Sequence, residues 1–572
     1  MSLLKKFSPV TFLLIFFAFS FLFKTDHSFD QDLGRHIKMG EIIWNTGSVA
    51  KTNLFSYTNP DFPFINTHWL FGVVAYLAGQ TTGLQALLVL KIIIILSSVW
   101  LTLKIIPKEN RLLLLPIGFI FLHVLRERIE LRPEIFSFLF TSITLFILYQ
   151  FLESKLKKTL FFLPLIQLIC INTHIYFFVG LVLQAIFLIV LIYQKLALHP
   201  KGIKLTILAA VFGLSTLVSL INPNGIAGLF YPLNVKQNYG YTIVENQTMF
   251  FLENINFKDP NFLFVKIAVL ITALSSVVGF IRKKLTVLAV TLSLFGVTLA
   301  LLNVRSFPYL VFLSLPAVLI NFGPIKKPKF YIPLQGLFIL LLLFESIFYL
   351  NGNYYLYKDE DNRPALSFIE SGRGALNFVN SNNLPGPIFN NFDIGSYISF
   401  RSYPQIKVFV DGRPEAFPKE FFTNTYIPLQ YDYNKFKALE KDLGLQTVIF
   451  SHTDQTPWAA AFLPQIVKDP AWKLVYIDGF MVVFVKEEVA FEKNLNPVDL
   501  ATLSPNNYQF ESHASYLMLG YFLIKTANTN SGALFLQKAL QIFPNSPVTN
   551  SFMGSLTGQS QFAEKSKNNI FW

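Results

Sequence analysis

Long apolar runs restrict what this chain can become more than any other feature. A bilayer core takes about twenty helical residues, fewer where flanking side chains snorkel or the membrane thins. About eleven runs reach that range: 8–23, 84–106, 112–125, 135–152, 160–171, 175–193, 205–221, 262–281, 285–302, 307–320 and 331–350, with 112–125 and 160–171 the shortest. The chain is 53% apolar and only 14% charged, with a mean hydropathy of +0.47, outside the range of ordinary soluble domains. An α-helical polytopic membrane protein is expected. The first run also fits a signal peptide with Ala18 and Ser20 at a weak cleavage pattern, and cleavage there would leave the sidedness of later loops unchanged.

The formal charge of +13 follows this topology. Alternate loops carry Lys5/Lys6, Lys104/Lys108/Arg111, Lys155/Lys157/Lys158, Lys195/Lys201/Lys204, Arg282/Lys283/Lys284 and Lys326/Lys327/Lys329, and an excess of Lys and Arg marks the cytoplasmic side. The expected protein sits in the plasma (inner) membrane with a cytoplasmic N-terminus and an extracytoplasmic C-terminal region. Nucleic acid is not an expected partner, because the basic residues are dispersed between apolar runs rather than gathered on one soluble face. The single cysteine, Cys170, rules out an internal disulfide and a cysteine-based zinc site.

Three segments follow. Residues 1–350 form the transmembrane domain, with a long first outward loop at 24–69. Residues 351–488 have soluble composition, with strands expected at 387–392, 407–411, 447–450, 472–478 and 481–485 and helices at 365–380 and 433–443, a small extracytoplasmic α/β domain. In residues 489–572, the spacing of Tyr516, Leu519, Gly520, Leu523, Gly532, Leu536, Ala539 and Pro544 resembles one tetratricopeptide repeat. One repeat cannot bury its own face, so it packs on the preceding domain or on a protein partner. An ordinary helical hairpin is the plainer reading of the same residues.

The first outward loop reads Phe29-Asp30-Gln31-Asp32-Leu33-Gly34-Arg35-His36, then a stretch to Gly47, then Asn66-Thr67-His68-Trp69-Leu70. An acid just outside the first span, a short helix ending in Gly, a proline-bearing stretch and a Trp-Leu helix entry resemble the first loop of the GT-C superfamily of membrane glycosyltransferases. Protein O-mannosyltransferases and aminoarabinose transferases belong to it. The likeness covers 30–106 best. Leu131-Arg132-Pro133-Glu134 and Asn222-Pro223-Asn224-Gly225 are similar to patterns in uncharacterised bacterial members that carry tetratricopeptide repeats. The resemblance implies a sugar donor on a polyprenyl phosphate, a glycan, lipid or protein acceptor, and transfer at the outer face. Some members use a divalent ion.

That reaction makes demands on residue type. A hydroxyl or amine acceptor needs a carboxylate base within hydrogen-bond reach; Asp32 and Asp30 are the candidates. Asp32 is favoured because His36 follows one helical turn on, and two solvated loop acids are the bland alternative. The leaving lipid phosphate needs cations placed in advance, and the planar fork of arginine suits phosphate oxygens. Arg35, Arg128, Arg132 and Arg305 are outward and near span ends. Arg128 fits equally a plain ion-paired loop with Glu127, Glu130 or Glu134. His36, His68 and His174 could join the aspartates at a metal, although no His-x-x-x-His spacing appears. The clusters 390–397 and 411–415 follow expected strands and fit acceptor binding or ordinary turns.

Other classes fit the composition. A lipid-linked saccharide transporter would line a path with mid-span charges, whereas Lys91, Lys266 and Glu345 are scattered; a glycan ligase would carry its large loop late between spans, whereas the polar loop here follows the first. A non-enzymatic scaffold would present the helical hairpin to protein partners and leave the outward acids and arginines dispensable.

Overall fold

The computed structural model describes residues 8–153, 157–198, 204–235, 239–257, 259–325, 329 and 331–567. Lys5, Lys6, Lys155, Lys201, Lys326 and Lys327, which entered the assignment of sidedness, lie outside the described residues. The chain forms two compact units. One comprises Met1–Lys24, Thr67–Asn234 and Thr242–Asn351, the other Thr25–Asn66, Val235–Tyr241 and Gly352–Trp572.

The first unit is helical, and every apolar run named above is a helix within it. Local chemistry sets the starts. Ser8, Asp259 and Thr286 accept hydrogen bonds from the exposed amides of the first turn, with proline following at Pro9 and Pro260. Among the described residues six helices are long and apolar enough to cross a membrane: Gln85–Ile105, Glu134–Leu152, Ile175–Leu196, Pro260–Ile281, Val304–Phe322 and Tyr331–Leu350. Shorter apolar helices cover Pro9–Leu22, Lys158–Thr173, Lys204–Val218 and Val287–Leu302.

The helix Phe307–Phe322 is buried along most of its length. It packs against Val287–Leu302 closely enough that a Cβ at Gly296 would meet the Ser314 hydroxyl at 2.6 Å. At the periphery, Tyr331–Leu350 leaves Leu340, Phe344 and Ile347 uncovered. A continuous apolar face of this kind is stable against lipid rather than water, so these helices associate the chain with a membrane. Glu345, isolated in the sequence, meets His123 Nε2 at 2.7 Å, while His123 Nδ1 lies 2.8 Å from the Phe119 carbonyl. Both ring nitrogens are thus engaged in hydrogen bonds.

The second unit is built on a four-stranded mixed sheet of order β1-β2-β4-β3, comprising β1 (Ile388–Asn390), β2 (Thr447–Ser451), β3 (Trp472–Ile477) and β4 (Met481–Lys486). β1 and β2 run parallel, Ile388 opposite Thr447; β2–β4 and β3–β4 are antiparallel. Every residue of β2 is buried, as an inner strand covered on both faces requires. Phe389 of β1 meets Phe436 and Phe462, from the helices Tyr433–Leu443 and Pro457–Lys468, at ring separations of 5.3 and 5.4 Å.

Two expectations change. Residues 407–411 are not a ladder strand: Val408 instead exchanges backbone hydrogen bonds with Phe55 and Tyr57 of the first loop, and the Asn390 side chain bonds Phe409 N and Val410 O. The helix expected over 365–380 is Arg373–Ser381, because Asp26 pairs with the extended chain at Ser367–Ile369 and holds it out of helix.

The first loop is thus an integral part of this unit. Its helix Gly34–Thr46 lies against the helix Phe392–Ser402 so closely that a Cβ on Gly34 would stand 2.8 Å from Phe400 Cβ. Arg413 grips Asp411 through Nε (2.9 Å) and Nη2 (2.5 Å), gives Nη2 to Asn53 at 2.7 Å, and stacks on Phe55 and Phe64. The Asp-Gly-Arg segment at 411–413 is therefore a buried brace for the loop. Beyond the sheet, the helices His513–Lys525 and Thr529–Ile542 pack through Gly520 and Gly532, each within 3.0 Å of the other's carbonyl at the Cβ position.

Candidate functional site

Each unit gathers one group of ionisable side chains. In the first unit the turn between Leu114–Arg126 and Glu134–Leu152 is short, so Arg128 and Arg132 leave the backbone close together. Arg305 comes from the 3₁₀ turn Val304–Ser306, and Glu245 from the 3₁₀ turn Val244–Asn246. Val304 N donates to Gln247 O at 3.0 Å and ties the two turns side by side.

The three arginines converge on Glu245. Its Oε1 takes Arg128 Nη1 at 2.8 Å and Arg132 Nη1 at 2.7 Å; its Oε2 takes Arg305 Nη2 at 2.8 Å. Arg128 also donates to Glu134 at 2.7 Å, and Arg305 Nε approaches the same carboxylate at 3.8 Å. Burial alone would raise the Glu245 carboxyl, but Arg128, Arg132 and Arg305 hold it well below the ordinary range. Burial likewise opposes the charge on Arg128, and Glu134 and Glu245 overcome it, raising its pKa. Arg128 Nε is buried without a hydrogen-bond partner.

An aromatic wall adjoins the cluster. His174 stacks on Tyr176 at 5.4 Å and lies 5.4 Å from His68, and Tyr176 stacks on Tyr309 at 5.1 Å. Tyr176 OH bonds Ser306 Oγ at 2.8 Å, and His174 Nδ1 bonds Ser137 Oγ at 2.8 Å. Burial and then the charges of His68 and Arg305 hold His174 well below the usual histidine range, so the ring is neutral.

The second unit holds carboxylates. Asp30 is buried and accepts Ser371 N at 3.0 Å and Gly372 N at 3.4 Å, just ahead of the helix Arg373–Ser381, and burial pushes it up to about 6. Asp32 accepts Nε and Nη2 of Arg35 on a single oxygen, at 3.2 and 2.8 Å. His36 is buried on the helix that follows.

The residue that sequence reasoning placed only in a polar cluster is Asp393, at the start of the helix after β1. Burial, then the charges of Asp454 and Asp32, push it up to about 7. Its side chain stays open to solvent although protein crowds it at longer range, so water moderates the burial contribution and the neighbouring carboxylates are the firmer cause. Asp454 accepts Asn391 Nδ2 at 3.0 Å and Thr456 N at 2.9 Å. Burial also raises Glu415, against Arg35 and Arg413. Among the described residues no group of three or more His, Cys, Asp or Glu could hold a metal ion.

The eight residues singled out in the sequence therefore divide: Asp30, Asp32, Arg35 and His36 belong to the second unit, His68, Arg128, Arg132 and Arg305 to the first. Glu245 and Asp454 escaped notice, since nothing local in sequence sets a lone loop acid against arginines or acids far along the chain. The described residues give a membrane-associated helical protein with an arginine–carboxylate cluster in one unit and a group of acids in the other. No protein-family model matches the chain, and no curated protein matches it.

Proposed function

We propose that the chain is a membrane glycosyltransferase that moves a sugar from a polyprenyl-phosphate donor to an acceptor at the outer face of the membrane. The observation that carries this is the convergence of Arg128, Arg132 and Arg305 on one anion at the ends of apolar helices. A lipid phosphate would present its charge there while its chain stays among those helices.

In the reaction, the bond from the sugar's anomeric carbon to the phosphate oxygen breaks and a bond to the acceptor oxygen or nitrogen forms. The acceptor's proton passes to a carboxylate, and the phosphate leaves with the electron pair. Asp32 is the proposed base. Asp393, near neutrality, is matched to share that proton at physiological pH. About eleven spans, a cytoplasmic N-terminus and an extracytoplasmic second unit complete the reading, with the helices at 513–542 as a tetratricopeptide-like hairpin. In support, loops assigned to the outer side meet one another: Lys24 with Glu130, Trp69 with Asn172, and Glu245 with Arg128 and Arg305. Loops assigned to the inner side do the same through Lys204 on Leu152 O and Arg282 on Phe322 O.

The test is sugar transfer in membranes from radiolabelled polyprenyl-phosphate sugars, comparing the natural chain with Asp32→Asn and Arg305→Ala at equal protein levels. Transfer that falls to background in both variants supports the reading. Equal transfer by all three chains would refute the assigned roles.

A further inference from the structure

The five hydrogen bonds and ion pairs around Glu245 describe a site already shaped for an oxyanion. Arg128 Nη1 and Arg132 Nη1 reach Oε1 at 2.8 and 2.7 Å. Arg128 Nη2, Arg132 Nη1 and Arg305 Nη2 reach Oε2 at 3.2, 3.0 and 2.8 Å. Each guanidinium offers more donors than a carboxylate can receive, and Arg128 Nε is left buried without a partner. A phosphate brings more oxygens and more charge to the same fork geometry.

The acid that fills the site stands in a longer connection than its partners do. Arg128 and Arg132 lie on the turn between Leu114–Arg126 and Glu134–Leu152, and Arg305 on the three-residue turn between Val287–Leu302 and Phe307–Phe322, whereas Glu245 rides on a three-residue turn in the connection between Gly225–Asn234 and Met249–Asn254. That turn is bonded to its surroundings through Val304 N to Gln247 O.

We infer that Glu245 is an internal stand-in for a phosphate: it occupies the arginine site and leaves when a phosphate or diphosphate group enters. The inference rests on the proposed lipid-phosphate donor and adds a mechanism to it. A tethered carboxylate keeps three partly buried guanidinium groups compensated when no donor is bound. It also makes the site reject weak anions, because a ligand must outcompete the tether before it binds. Apparent affinity is then the intrinsic affinity reduced by the fraction of molecules in which Glu245 is out.

The experiment uses the full chain in phosphatidylcholine nanodiscs and two probes, inorganic pyrophosphate in solution and polyprenyl monophosphate in the bilayer. Glu245→Gln keeps size and hydrogen bonding but removes the competing charge, and the affinity for at least one probe is expected to rise about tenfold. A rise for pyrophosphate alone assigns the site to a free diphosphate, and a rise for the lipid alone assigns it to a headgroup. If that variant does not fold, hydrogen exchange on the natural chain decides. Saturating probe should speed exchange of amides 243–247 while the turn at 128–132 becomes protected. Binding with unchanged or slower exchange at 243–247, or equal or weaker affinity in Glu245→Gln, overturns the displacement and leaves the donor reading standing. No binding of either probe by either chain overturns both.

Discussion

The two units treat charge in opposite ways. Around Glu245 every carboxylate oxygen meets guanidinium groups, and the carboxyl is driven to stay ionised. Around Asp393, burial and then the charges of Asp454 and Asp32 act on the carboxyl and push it up to about 7. Matched charge fixes geometry and keeps the acid ionised, while crowded, desolvated acids hold a proton that can be given or taken near neutral pH. The comparison can be broken at either end.

The largest effect is expected from the mismatched side. Asp32→Asn should lower transfer by about a thousandfold, the upper part of the range for losing a general base, with donor binding to membranes unchanged. Asp393→Asn should cost less in rate but alter its pH dependence. The ionised acid is the one that can take a proton, so activity of the natural chain should climb as pH passes about 7, and that limb should disappear in the variant. An unchanged pH profile would separate Asp393 from the chemistry.

On the matched side, Glu134→Gln leaves Arg128 with one partner fewer in a buried setting. It should cost about 3 kcal/mol of stability, read as a lower melting temperature in detergent. A silent substitution would mean that water reaches the cluster freely.

Asp30 sharpens the contrast within the second unit. Its folded value of about 6 lies above the ordinary aspartate value of about 4, so the folded state binds its proton more tightly than the unfolded chain does. The resulting stability is complete below about pH 4 and is lost as pH rises through about 6. The difference is roughly 2–3 kcal/mol, and Asp30→Asn should flatten it in chemical denaturation at pH 4 and pH 7. At the small end, the exposed pair of Arg373 with Glu370 should matter by less than about 0.5 kcal/mol, so Arg373→Ala serves as a control in the same denaturation series.

Much of the helical framework is legible in the sequence, because an apolar run of bilayer length has few other ways to satisfy its backbone. Tyr433–Leu443, with its Asp432 cap and Gly444 stop, is readable for similarly local reasons. The arginines were legible as types at span ends. Their common target was not: Glu245 reaches Arg132 across more than a hundred residues of chain, a relation fixed by helix packing and by the bond between Val304 and Gln247. The extended segment at 407–411 misled because alternating apolar residues fit a strand, while its backbone partner is the first loop rather than the sheet. Asp393 followed a strand end, a common ligand position, but its significance comes from Asp454 and Asp32, which only the fold brings near.

The most direct measurement is transfer itself. Membranes carrying the natural chain, or the Asp32→Asn/Asp393→Asn double variant at matched abundance, would be supplied with a panel of polyprenyl-phosphate sugars and analysed by mass spectrometry for new glycosylated products. Product from at least one donor with the natural chain and none with the double variant is the expected result. Product formed equally by both chains, or by neither from any donor, would contradict the assignment of this protein as a lipid-phosphate-dependent glycosyltransferase.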